Sequence, residues 1–245
     1  MEFKNALKQY FKAFLAKKFH TPLEGRITSA ELVRDLFNLK KFDLRGTENL
    51  PSESGIIFIY NHISNNKSYI LDNNFEITLD SHFISSVISN SYYQTPGIRV
   101  IRHSLPYEKA HKNYYDKFDY IRVYSKEYIP KEVSEKTLKE SKEEFYKASK
   151  LVLSKGGNLI VTPEGRSSTT AKSPTDFKAG VFKMIIHSKL DPLIVPLVMV
   201  NFDKYHSRTV YRCEIKKPFR LSEVIKDSSN RNQLSIFLNS LNKKY

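Results

Sequence analysis

Over the first twenty positions, MEFKNALKQYFKAFLAKKFH, apolar residues recur at three- and four-residue spacing. Phe3, Leu7, Tyr10, Phe11, Phe14 and Leu15 form one stripe. Lys4, Lys8, Lys12, Lys17 and Lys18 fall largely off it. The spacing predicts a basic amphipathic helix heading an N-terminal helical segment over residues 1–40. Two readings of its apolar face stay open. It can insert into an anionic membrane interface while the lysines meet headgroups. It can equally pack on the rest of the domain with the lysines in water.

Beyond residue 40 the pattern changes to short continuous apolar runs. A turn at Arg45-Gly46-Thr47 and Pro51 leads into GIIFIY (55–60), which suits a strand buried on both faces. Residues 61–80 are polar and asparagine-rich and predict a loop. A helix follows from Leu79 to Ile88, with Asp80 or Ser81 as its cap. A charged helix is predicted over 132–155, stopped by Lys155-Gly156-Gly157. Then come a strand NLIVT (158–162), a turn, a helix over 176–189 and strands over 193–202 and 209–221. Strands alternating with helices predict a single α/β domain over 41–245, with a mixed, largely parallel sheet flanked by helices. The 245 residues suffice for such a domain and its core. No apolar run approaches the ~20 residues that span a bilayer. The first twenty residues carry charge throughout, unlike a signal peptide. The expected location is therefore cytoplasmic, peripheral on the inner face of the membrane.

The net charge of +14 asks for an anionic partner. A membrane surface, a phosphorylated small molecule and an acidic carrier protein all qualify. The lysines are scattered and no nucleic-acid motif is present, so specific nucleic-acid binding is not expected. A lone cysteine, Cys213, excludes an intramolecular disulfide and a zinc site built on several cysteines.

In a parallel α/β sheet, ligands gather at the carboxyl ends of strands. Tyr60-Asn61-His62 follows the first buried run, and Pro163-Glu164-Gly165-Arg166 follows NLIVT. His62 is a candidate general base, with an ordinary pKa near 6.5. Such a base needs a carboxylate on its other nitrogen, and Asp72 and Asp80 are the candidates. Arg166 offers a planar fork for phosphate oxygens, and Gly165 admits close backbone approach. Glu164 can hold either the turn or the arginine. His82 and His103 read as structural or solvated, and no metal site is predicted.

The order Asn61-His62, Thr162-Pro163-Glu164-Gly165-Arg166-Ser167, Phe177-Lys178-Ala179-Gly180 and Ile194-Val195-Pro196-Leu197 resembles the PlsC-like glycerophospholipid acyltransferases, the lysophospholipid acyltransferase family. The resemblance covers roughly residues 55–200. Three departures stand out. Lys67 occupies the place of the family's aspartate, five residues after His62. The phrase from Thr78 to Ile84 looks like the family's aspartate-bearing helix start, displaced by a longer loop, and so points to Asp80 ahead of Asp72. The family's threonine between glycine and arginine is missing. The middle arginine motif has no clean match; Arg99, Arg102 and Arg122 are candidates, with Arg122 in the most strand-like setting.

The resemblance implies direct acyl transfer, without a cofactor, from acyl-CoA or acyl carrier protein to a lysophospholipid hydroxyl, with 1-acylglycerol 3-phosphate as the first acceptor. It implies His62 as base, Asp80 as its orienting acid, and Glu164, Gly165, Arg166, Arg122 and Lys178 around the acceptor phosphate. Glycerol 3-phosphate and a lyso-ornithine-type lipid are alternative acceptors. The interrupted His–Asp spacing motivates another alternative, a lipid- or acyl-CoA-binding protein that has lost catalysis.

Overall fold

Short apolar runs become strands that are buried on both faces. In β2 (Ile57–Tyr60) the side chains alternate, with Ile57 and Ile59 in one core cluster and Phe58 and Tyr60 in the other. β5 (Leu159–Val161) and β6 (Leu193–Val200) are divided the same way. The computed structural model describes residues 3–125, 127, 129–205, 208–226 and 231–245.

The remaining strands are β1 (Phe42–Arg45), β3 (Ile98–Arg102), β4 (Ile121–Val123), β7 (Tyr211–Ile215) and β8 (Phe219–Arg220). The sheet order is β1-β7-β6-β2-β5-β3-β4, with β8 also on β6. The run β6-β2-β5-β3-β4 is parallel throughout, while β7 and β8 lie antiparallel to β6. The carboxyl ends of β2, β5, β3 and β4 therefore open on one side. The expected strand over 209–221 is divided between β7 and β8. Pro218, which has no N–H for a ladder, lies between them.

The helices are α1 (Phe3–Ala16), α2 (Pro22–Phe37), α3 (Leu79–Phe83), α4 (Ser91–Tyr93), α5 (Lys109–Phe118), α6 (Glu135–Ser154), α7 (Gly180–Ser188), α8 (Leu221–Val224) and α9 (Arg231–Asn242). A π-helical stretch, Ile84–Asn90, joins α3 to α4. Ser134 caps α6 through Thr137 N, and Gly156 follows its end at φ +73°. α7 starts four residues later than its pattern suggests, because Lys178 N donates to Pro163 O at 2.7 Å and holds that segment in the preceding turn.

The segment before residue 40 packs on the sheet. Phe3, Leu7, Phe11 and Phe14 of α1 and Val33 and Phe37 of α2 share one core cluster with Phe58, Tyr60 and Met199. Of the two readings of the N-terminal stripe, the structure shows the packed one. Phe11 is fully buried against Phe75, His82 and Tyr114. Phe11→Ala should thus cost about 3–5 kcal/mol in denaturant unfolding. A loss under roughly 0.5 kcal/mol, as at an ordinary surface site, would mean that α1 is detachable.

Candidate active site

Just past β2, the Asn61 side chain continues the ladder to β6. Met199 N donates to Asn61 Oδ1 at 2.6 Å, and Asn61 Nδ2 donates to Met199 O at 3.0 Å and to Ser173 Oγ at 2.7 Å. This brace fixes the backbone from which His62 projects. The segment after β5 closes over the same place. Ser168 N donates to His62 O at 2.9 Å, and Ser64 N donates to Ser168 O at 2.8 Å.

His62 Nδ1 lies 2.6 Å from Asp80 Oδ2. Asp80 is fully buried. The same oxygen accepts from Ile63 N at 2.8 Å, and Oδ1 accepts from Ser81 N at 2.6 Å. A carboxylate only accepts, so the neutral imidazole carries its proton on Nδ1 and its lone pair on Nε2. About a fifth of the His62 side chain remains exposed (20%). Asp80 does not cap α3. Thr78 occupies the cap position without a capping bond from its side chain, and Asp80 sits inside the first turn. The other candidate acid, Asp72, pairs at the surface with Lys12 at 2.6 Å.

Glu164 is buried and its carboxylate is fully engaged. Oε1 accepts from His62 N at 2.6 Å, and Oε2 accepts from Thr175 N and Thr175 Oγ1 at 2.6 and 2.7 Å. Of the two roles open to it, holding the turn or the arginine, these bonds are of the first kind. Gly165 has φ +71°, which a side chain disfavours, and its carbonyl accepts from Ser125 Oγ. Arg166 pairs with Glu127 at 3.1 Å rather than with Glu164. Its guanidinium is half-exposed beside the opening. Lys178 is exposed next to Gly165. Arg122 points to Asp116 at 2.5 Å.

Burial pushes the His62 imidazole down. The Asp80 carboxylate pulls it up through charge and hydrogen bond, with Glu164 and Glu76 adding to the pull, and the net pKa lies above the ordinary histidine value. Burial raises Glu164, and the hydrogen bonds from Thr175 and His62 offset only part of that. Burial, then the nearby Asp80, hold the Tyr60 phenol well above its usual range. His82 is buried and neutral, bonded to Thr78 O and to Tyr114 OH. His103 stacks on Tyr124 at 4.1 Å. Among the described residues no cluster of His, Cys, Asp and Glu could hold a metal ion.

Sequence reasoning missed three contributors. Asn61 was visible beside His62, but its ladder role depends on β6. Thr175 carried no signal. Arg99 stood among the arginine candidates, yet nothing in its neighbours placed it behind Asp80. A base oriented by a buried carboxylate, with its free nitrogen at the open end of a sheet, can take a proton from a bound hydroxyl.

The Acyltransferase family profile matches residues 41–200. The fold is similar to the crystal structure of the 1-acyl-sn-glycerophosphate (LPA) acyltransferase PlsC from Thermotoga maritima. The TM-score is 0.58 at 14% identity, over 97% of this chain and 87% of that one. No curated protein matches the chain.

The electrostatics set an expected titration. His62, followed by NMR of its ring protons, should show a midpoint above the ordinary 6.5. In Asp80→Asn the anion is gone and burial remains, so the midpoint should fall. An unchanged midpoint would show that the 2.6 Å contact does not govern the imidazole.

Proposed function

For a chain that belongs to the acyltransferase family, we propose transfer of an acyl group from a thioester, acyl-CoA or acyl carrier protein, to the hydroxyl of a lysophospholipid, with 1-acylglycerol 3-phosphate as the acceptor. The contact of His62 with buried Asp80 carries this reading. The acceptor hydroxyl hands its proton to His62 Nε2 as its oxygen attacks the thioester carbonyl carbon. Asp80 holds the ring and answers the imidazolium charge that forms. Collapse of the tetrahedral adduct breaks the C–S bond, and the departing thiolate takes the proton back from His62. Atoms and charge balance without an acyl-enzyme. Cys213 is buried, with burial raising its thiol pKa, which makes it a poor nucleophile.

Arg166 and Lys178 supply cations beside the open end, where the acceptor phosphate would lie. Recruiting Arg166 requires Glu127 to yield, an exchange available to an exposed pair. The reading as a binding protein without catalysis rested on the missing acid near His62, and Asp80 removes its motive. Among the described residues no helix is long and apolar enough to cross a membrane. We infer peripheral attachment to an anionic bilayer, where a lysolipid is found.

The test is acyl transfer to lysophosphatidate from each donor, at equal folded concentration. His62→Ala should lower kcat by about 10³-fold and Asp80→Asn by about 10²-fold or more. Asp72→Asn should leave the rate unchanged. A folded wild type inactive with both donors on lysophosphatidate, glycerol 3-phosphate and a lyso-ornithine lipid would defeat the proposal.

A further inference from the structure

Behind Asp80 lies a cation that the proposed chemistry does not use. Arg99, on β3, is the only buried lysine or arginine among the described residues. No carboxylate reaches it to form an ion pair among those residues. Its Nη1 donates to Ser81 Oγ at 3.1 Å, and its Nη2 donates to Tyr114 OH at 2.7 Å and to Tyr120 OH. The guanidinium lies over the Tyr120 ring, 4.5 Å from its centroid, and Nε has no hydrogen-bond partner. Burial holds the Tyr114 phenol neutral, so that oxygen is a ligand and not a counter-ion. A guanidinium sealed in this way is costly unless an anion is near.

Ser81 provides the link to one. Its backbone N–H holds Asp80 Oδ1, while its hydroxyl accepts from Arg99. The two opposite charges thus flank a single residue. We propose that Arg99 is a positioning residue for the acyl-transfer site: through Ser81 it fixes the Asp80 carboxylate against the imidazole, and its buried charge disfavours a second positive charge on His62. The role rests on the acyltransferase reading for its use, but not for its electrostatics.

Other charged and titratable groups face this cluster from every side. Tyr60 on β2, Glu164 after β5 and Glu76 before α3 act on the His62–Asp80 pair. His82 on α3, Tyr114 and Tyr115 on α5, Tyr120 before β4 and Tyr10 on α1 face Arg99. Glu164 and Glu76 pull the His62 pKa up. Arg99 is the buried cation that opposes them.

The decisive measurement is the His62 titration by NMR, which needs no substrate. Arg99→Gln removes the charge and keeps hydrogen-bonding capacity. Its midpoint should rise by about one pH unit, because the pair then holds its proton more tightly. The acid limb of kcat/KM should move up with it. Arg99→Lys keeps the charge and should keep the wild-type midpoint. An unmoved midpoint in folded Arg99→Gln, or an equal rise in both variants, overturns the proposal. If Arg99→Gln does not fold, the double variant Asp80→Asn with Arg99→Gln decides. Recovery of folding supports the charge balance, and continued failure overturns it. A shifted midpoint in a protein that transfers no acyl group would defeat the acyltransferase reading and leave the charge balance standing.

Discussion

A carboxylate without access to water must find all its donors inside the protein, and Asp80 is in that position. It finds them in the ring of His62 and in the backbone N–H groups of Ile63 and Ser81. This requirement forces the end of β2 and the first turn of α3 to meet, although residues 61–78 separate them. It also accounts for Asp80 lying inside the first turn of α3 and not at its cap position. Phe11 packs against Phe75 and His82, on either side of Asp80 in the chain, so α1 stiffens the turn that carries the acid. The N-terminal helix belongs to the site's support.

Glu164 is a second buried carboxylate near the same histidine, and its partners give it a different task. Asp80 takes the imidazole N–H. Glu164 takes the backbone N–H of His62 and the backbone and hydroxyl of Thr175. One orients the ring, and the other fixes the main chain from which the ring projects. A positive φ at Gly165 then turns the chain outward and leaves Arg166 at the surface. The acid and base of this turn therefore face opposite ways, and the charge pair that their adjacency suggests does not form.

What was legible in the sequence follows from how local each cause is. β2, β5 and β6 announce themselves because burial on both faces demands unbroken apolar residues. Gly156 marks the end of α6 because a left-handed residue is needed there. Asp80 was reachable only through the likeness of its helix start to a family phrase. Its distance in sequence from His62 is set by a loop whose folding no pattern encodes. The partners of Arg166 and Arg122, Glu127 and Asp116, depend on which loops meet at the open end. Arg99 was the least legible, since burial and the absence of a carboxylate are tertiary facts. The stripe of α1 could not be resolved from its spacing, because a bilayer interface and a protein core select the same residues.

Resolving that stripe changes what the basic charge can do. With Phe3, Leu7, Phe11 and Phe14 inside the core, α1 has no large apolar face left to insert. Its outer face carries Lys8 and Lys12, Lys17 and Lys18 follow its end, and Lys4 rests over Tyr205 at 4.9 Å. On the proposed peripheral attachment, attraction to anionic headgroups would act through exposed ammonium groups rather than through inserted apolar side chains. Such attraction decays within a Debye length of about 8 Å at physiological salt. It is worth about 1 kcal/mol for each lysine held near the surface. A protein held in this way would arrive and leave readily. That would suit the proposed reaction, with an acceptor in the bilayer and a soluble thioester donor.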